Sequence, residues 1–209
     1  FGGDISGWDV SNVTGMGNMF EGASSFNGDI SSWNVSNVTN LHKTFLAATS
    51  FNQDLSSWDV SNVTDMYALF YGCGEFTSDL SRWNVTNVTS MHAMFSGASA
   101  FNSDISLWDV SNVTSMHSMF RSANTFTGDI SAWDVSNVTN MELMFGNLST
   151  YNPNVSGWDV SNVTNMKNMF RNAEEFNQSI SQNGDYWNTS NVTDMESMFV
   201  TATIFNNGD

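Results

Sequence analysis

The chain has 209 residues, of which 21 are acidic and 5 basic, for a formal net charge of −16. That balance sets aside nucleic acid and anionic membrane surfaces as partners and leaves cationic partners or ions. Hydrophobic residues make up 40% and aromatics 13%, which excludes a disordered chain, and no apolar run approaches the ~18 residues of a membrane span.

The first tryptophan, Trp8, returns as Trp33, Trp58, Trp83, Trp108, Trp133 and Trp158, a period of 25 residues. The eighth copy slips to Trp187 after a four-residue insertion around Gln182–Tyr186. All 16 phenylalanines fall in two repeat columns, one holding Phe1 and Phe26 and the other Phe20 and Phe45; all 13 methionines fall in the columns of Met16 and Met19. A unit this short cannot bury a core alone, so each copy supplies one slice and the slices stack. The expectation is a single array over 1–209, eight copies and the start of a ninth. Neither end carries a polar cap, so the array is expected to be a segment of a longer protein or a subunit that stacks on others.

Within one unit the elements are read in order from Phe126. The segment Ile130-x-x-Trp133-x-Val135-x-x-Val138 spaces its apolar residues by three, two and three, the skeleton of a leucine-rich repeat with Trp133-Asp134-Val135 as its short strand. Then Met141, Met144, Phe145, Leu148 and Tyr151 fall at i, i+3, i+4, i+7 and i+10, the stripe of a short amphipathic helix with Thr139 as its N-cap. Asn-x-Asp turns such as Asn27-Gly28-Asp29 and Asn52-Gln53-Asp54 close the unit. The predicted fold is an α/β solenoid, a leucine-rich-repeat-like array of eight strand–short helix units with stacked Trp, Phe and Met ladders.

The repeat W-D/N-V-S-N-V-T-x-M-x-x-M-F-x-x-A-x-x-F-N-x-D-I-S resembles that of BspA-like leucine-rich-repeat surface proteins, the unit also found in mycoplasma-type surface lipoproteins. The resemblance covers all eight copies, with departures at Leu41, Thr44, Tyr151, Pro153, Gln182 and Thr189. It implies an extracellular, cell-surface location.

Candidate chemistry is sparse. His42, His92 and His117 share one column with Gly17, Tyr67, Glu142, Lys167 and Glu196, which reads as a solvated face. An incidental metal-binding pair of His92 and His117 is the alternative. Cys73 occupies a column filled elsewhere by Ala23, Ala98 and Ala123, and reads as a small buried residue.

Two aspartate ladders stand out. Asp4, Asp29, Asp54, Asp79, Asp104 and Asp129 follow a turn and are expected to accept its backbone N–H groups; calcium bridging them is the alternative. Asp9, Asp59, Asp109, Asp134 and Asp159, interleaved with Asn34, Asn84 and Asn188, form an exposed comb on the strand face and the candidate ligand-binding surface. Asn12, Asn37, Asn62, Asn87, Asn112, Asn137, Asn162 and Asn191 each open a formal Asn-Val-Thr sequon. Glycans one strand spacing (~4.8 Å) apart would collide, so this column reads as an asparagine ladder bonding backbone groups. Asn147 and Asn177 open better-spaced sequons.

No column combines an acid, a base and a pocket, so no enzyme is expected. The near-constant comb suits a repetitive ligand or self-packing. The expected function is a non-enzymatic extracellular structural or adhesive array, on a cell surface or in a filament, associating with itself end to end or laterally. The alternative is a binding module for a repetitive glycan or a soluble protein. The variable columns around Lys43, Tyr67, Tyr71, Arg121, Arg171 and Glu196 would carry any sequence-specific contact.

Overall fold

The computed structural model describes residues 3–182 and 185–206. Each repeat is one coil of a stack, and the coil is made of tight turns. In the first coil the N–H of Trp8 bonds the carbonyl of Ile5, that of Val13 the carbonyl of Val10, and three linked turns follow over residues 16–19, 18–21 and 20–23. The same turns recur coil after coil. Single parallel backbone bridges join Gly15 to Asn40, Asn40 to Asp65, Asp65 to Ser90, and onward to Asp194. The only strands among the described residues are β1 (Ser181–Gln182) and β2 (Asp185–Tyr186), paired antiparallel. This small hairpin takes up the inserted residues, of which 183–184 lie outside the described residues.

The expected α/β leucine-rich-repeat solenoid is therefore incorrect. No helix occurs among the described residues, and Trp133-Asp134-Val135 forms no strand. The reason is visible in where the N–H groups go. After Thr139, the N–H groups of Met141, Leu143, Phe145 and Asn147 do not reach back four residues as a helix requires. They donate to Asn165, Lys167, Met169 and Arg171 of the next coil, at 2.8–3.0 Å. Alternate N–H groups (Met144, Gly146, Leu148) close local four-residue turns instead.

A left-handed residue makes that alternation geometrically available. Leu143 and Asn147 have φ of 55° and 62°, and the same two columns are left-handed in every coil. Each is the third residue of its turn, the position where a type II turn needs positive φ. One column fills it with Gly22, Gly72 and Gly97, together with Ala47, Ser122, Asn147, Asn172 and Thr201.

The turns still point the predicted apolar residues inward. Met141, Met144, Phe145 and Leu148 are buried, as are the Trp, Val and Phe columns through the middle of the stack. Phe95 and Phe101 stack at 3.8 Å within one coil, and each meets its counterpart in the next coil at 5.9 Å. Tryptophan adds a polar tie: the indole N–H of Trp133 bonds the carbonyl of Ile105 at 3.1 Å, and the bond repeats from Trp33 through Trp187. Where the methionine column holds Thr44, its hydroxyl is fully buried and donates at 2.7–3.0 Å to Leu41 and Met16 carbonyls.

A non-glycine residue in the left-handed region is strained by roughly 1–2 kcal/mol. Ala47→Gly is therefore expected to stabilise the array by about 1 kcal/mol, and Thr201→Gly by at least as much because Thr is β-branched. Urea denaturation midpoints check this; unchanged or lowered midpoints would contradict the turn assignment.

Candidate functional site

The outward face is built from capped turns. Asp4 lies just before the turn that begins at Ile5, and its Oδ1 accepts the Ser6 N–H at 2.9 Å and the Ser6 hydroxyl at 2.8 Å. Asp29, Asp54, Asp79, Asp104 and Asp129 accept the equivalent N–H at 2.9–3.0 Å. In the comb, Asp9, Asp59, Asp109, Asp134 and Asp159 do the same for Ser11, Ser61, Ser111, Ser136 and Ser161. Asn34, Asn84 and Asn188 substitute for them with their Oδ1 at 3.2 Å.

Both ladders thus face solvent while each carboxylate spends one oxygen on its own backbone. No three His, Cys, Asp or Glu side chains come together to hold a metal ion among the described residues. The first ladder is held below the ordinary carboxylate value of 3.8, chiefly by the backbone N–H bond from the following serine. In the comb, Asp9, Asp59, Asp109 and Asp159 are lowered chiefly by the serine hydroxyl.

The Asn-Val-Thr column ties coil to coil. The amide Nδ2 of Asn37 donates to the Ser11 carbonyl at 2.8 Å, and Asn62, Asn87, Asn112, Asn137, Asn162 and Asn191 repeat the bond at 2.7–2.8 Å. That nitrogen, the atom a glycan would take, is engaged in each of these residues. The threonine two places on adds a second tie, Thr89 Oγ1 to the Thr64 carbonyl at 3.2 Å. Asn147 Nδ2 meets Ser122 Oγ at 3.2 Å, while Asn177 accepts the Asn206 N–H at 2.8 Å.

A further ladder escaped the sequence reading. Asn27 Oδ1 accepts the Asn52 N–H, Asn52 accepts that of Thr77, Asn102 that of Thr127 and Asn152 that of Asn177, at 2.8–2.9 Å. The Phe-Asn pair in six copies (Phe26, Phe51, Phe101, Phe176 and Phe205, with Tyr151 for Phe in the sixth) was the available signal.

Elsewhere on the coils, His42, Tyr67, His92 and His117 form a partly buried aromatic run. Tyr67 meets His92 edge-on at 4.8 Å, and His92 and His117 lie 4.3 Å apart. Burial lowers the basicity of both His92 and His117. The run ends at Glu142, which accepts from Asn165 Nδ2, and Lys167 pairs with Glu196. Cys73 is fully buried, its sulfur bonded to the Phe45 carbonyl at 3.0 Å, and burial pushes its thiol up to about 12.

Two outcomes follow. Because the capping carboxylates have lowered values, their contribution to stability is present above the ordinary carboxylate range and is lost as pH falls through the depressed values. The melting temperature should decline modestly from about pH 7 to 5, where the unfolded chain protonates His92 and His117 more readily than the folded one, and fall further below about pH 4; Asp29→Asn with Asp54→Asn should flatten that lower fall, since Asn154 already caps Ser156 at 3.2 Å. A flat profile down to pH 2 in the parent protein would show that the caps carry no folding energy. For Cys73, Ellman's reagent should give no reaction in native buffer and full reaction in denaturant; rapid native labelling would contradict its burial.

The family described as "Mycoplasma protein of unknown function, DUF285" matches residues 1–108, 57–153 and 129–209, and the chain belongs to it. No curated protein and no solved structure matches the chain.

Proposed function

We propose that this member of the DUF285 family is a non-enzymatic extracellular structural or adhesive array, whose outward face binds a repetitive surface ligand. The observation that carries the reading is the lattice of the face. The Asp9, Asn12 and Thr14 columns present the same polar groups once per coil, and their side chains are tied through Asx caps or coil-to-coil bonds. Such a comb is rigid before any partner arrives, so little conformational entropy is lost on binding.

A single irregular epitope would make poor use of identical columns. A polysaccharide or another regular surface matches them coil by coil, and many weak contacts add through multivalency. The resemblance of the repeat to that of BspA-like surface proteins supports a cell-surface location. Lateral or end-to-end association of arrays would extend the lattice further. No helix among the described residues is long and apolar enough to cross a membrane.

The test uses substitutions that keep the caps and remove the charge. Asp59→Asn, Asp109→Asn and Asp134→Asn together should leave folding intact, because Asn34 and Asn84 already serve in that column. Co-sedimentation with insoluble bacterial cell-wall polysaccharide should drop at least tenfold for the triple variant. Equal binding by parent and variant would exclude the comb as the ligand face.

A further inference from the structure

Only five residues in the chain are basic, yet two of them line one cavity. Arg121, Leu143, Asn147, Asn168, Arg171 and Asn172 surround a hollow of about 250 Å³. Arg121 and Arg171 occupy the same column two coils apart, and the coil between them places Gly146 there. A Cβ at Gly146 would come within 2.8 Å of the Leu143 side chain. The Leu143 side chain, which lines the hollow, takes up that space, so no side chain of the same column stands between the two arginines.

Neither arginine is neutralised from within. Among the described residues the ion pair present is Lys167 with Glu196, so no carboxylate pairs with Arg121 or Arg171 despite 21 acidic residues in the chain. Arg171 Nη1 reaches Asn168 Oδ1 at 3.5 Å. The Nε of Arg121 is buried and meets no acceptor. Buried donors in folded proteins nearly always have a partner, so this one is short of an acceptor atom.

Apart from Leu143, the rest of the wall is asparagine. Asn172 Nδ2 donates to Asn147 Oδ1 at 2.7 Å, and Asn147 Nδ2 reaches Ser122 Oγ at 3.2 Å. This chain fixes the amides beside the arginines. Asn168 is 7% exposed and accepts from Arg171 through its oxygen.

We propose that Arg121 and Arg171 form a clamp for one oxyanion group, a carboxylate, sulfate or phosphate, seated in the cavity that both line. A guanidinium fork matches the paired oxygens of such groups and supplies the charge they need. The cavity is smaller than the ~300–1,000 Å³ of drug-sized sites, which fits one anionic group and the first atoms of its carrier. The site lies in the variable columns, away from the Asp and Asn comb, and it stands whether or not the comb binds a surface.

Isothermal titration of the full chain at low ionic strength tests the clamp, with inorganic sulfate, inorganic phosphate, acetate, glucuronate and glucose 6-sulfate as probes and glucose as the neutral control. Saturable binding of at least one anion at a single site is expected, with none for glucose. Arg171→Gln, at an exposed residue, should weaken it at least tenfold while leaving the melting temperature unchanged; Arg171→Lys should weaken it less. Arg82→Gln, remote from the cavity, should have no effect. Tighter binding of glucose 6-sulfate or glucuronate than of the inorganic ions assigns the anion to a sugar, and equal binding assigns a free anion. Absence of saturable binding by every anion, or binding untouched by Arg171→Gln, overturns the proposal.

Discussion

Every feature of this fold depends on the hydrogen bonds that pass from coil to coil. Tight turns alone bury few backbone groups and leave half their N–H donors facing away. In the coil of Leu41 those donors, from Leu41, Lys43, Phe45 and Ala47, find carbonyls at Asp65, Tyr67, Leu69 and Tyr71 of the neighbouring coil. Unpaired buried backbone groups are costly, so the stack satisfies a demand that no isolated coil can meet. The fixed spacing that results brings phenylalanine onto phenylalanine and asparagine onto the carbonyl it serves. Repetition in the sequence is thus a requirement of register: a coil of different length moves its side chains out of column unless the excess is looped out, as β1 and β2 do.

The period and the inward columns were legible because they are written in side-chain volume. Trp133, Val135, Val138, Met141 and Phe145 repeat from copy to copy, with Leu41 and Thr189 as the exceptions, and the structure buries each of the five. The element type was misread because spacing at i, i+3, i+4 and i+7 does not belong to a helix alone. A chain of linked turns that alternates local and cross-coil bonds presents the same residues inward. The distinguishing signal lay in the column of Gly22, Gly72 and Gly97, with Asn147 and Asn172 in other copies, residue types that tolerate positive φ. Ala47, Leu143 and Lys43 obscured it, since nothing in those residue types announces a left-handed backbone.

The polar face was partly legible for a related reason. An aspartate or asparagine two residues before a serine is a local capping pattern, so the role of Asp4 or Asp29 follows from a few neighbouring residues. The Asn27 ladder and the Arg121–Arg171 cavity are not local. The first joins residues 25 apart and the second joins residues 50 apart, and both exist only once the stacking register is known. Charge adds a further contrast. The acidic columns are spread along the outside at one residue per coil, whereas two of the scarce cations converge on one notch.

The direction of the cross-coil bonds has an electrical consequence. The peptide groups ahead of Leu41, Lys43, Phe45 and Ala47 all aim their N–H toward the following coil, and those of the neighbouring coils do likewise, against a minority of reversed bonds such as those of Thr39 and Ser50. Parallel peptide dipoles sum as they do along a helix, so the stack is a polar rod, positive toward higher residue numbers. An inverted coil would set donor against donor and acceptor against acceptor. Tandem duplication, which copies a unit in the same sense, is the one way of lengthening the gene that such a rod accepts without loss.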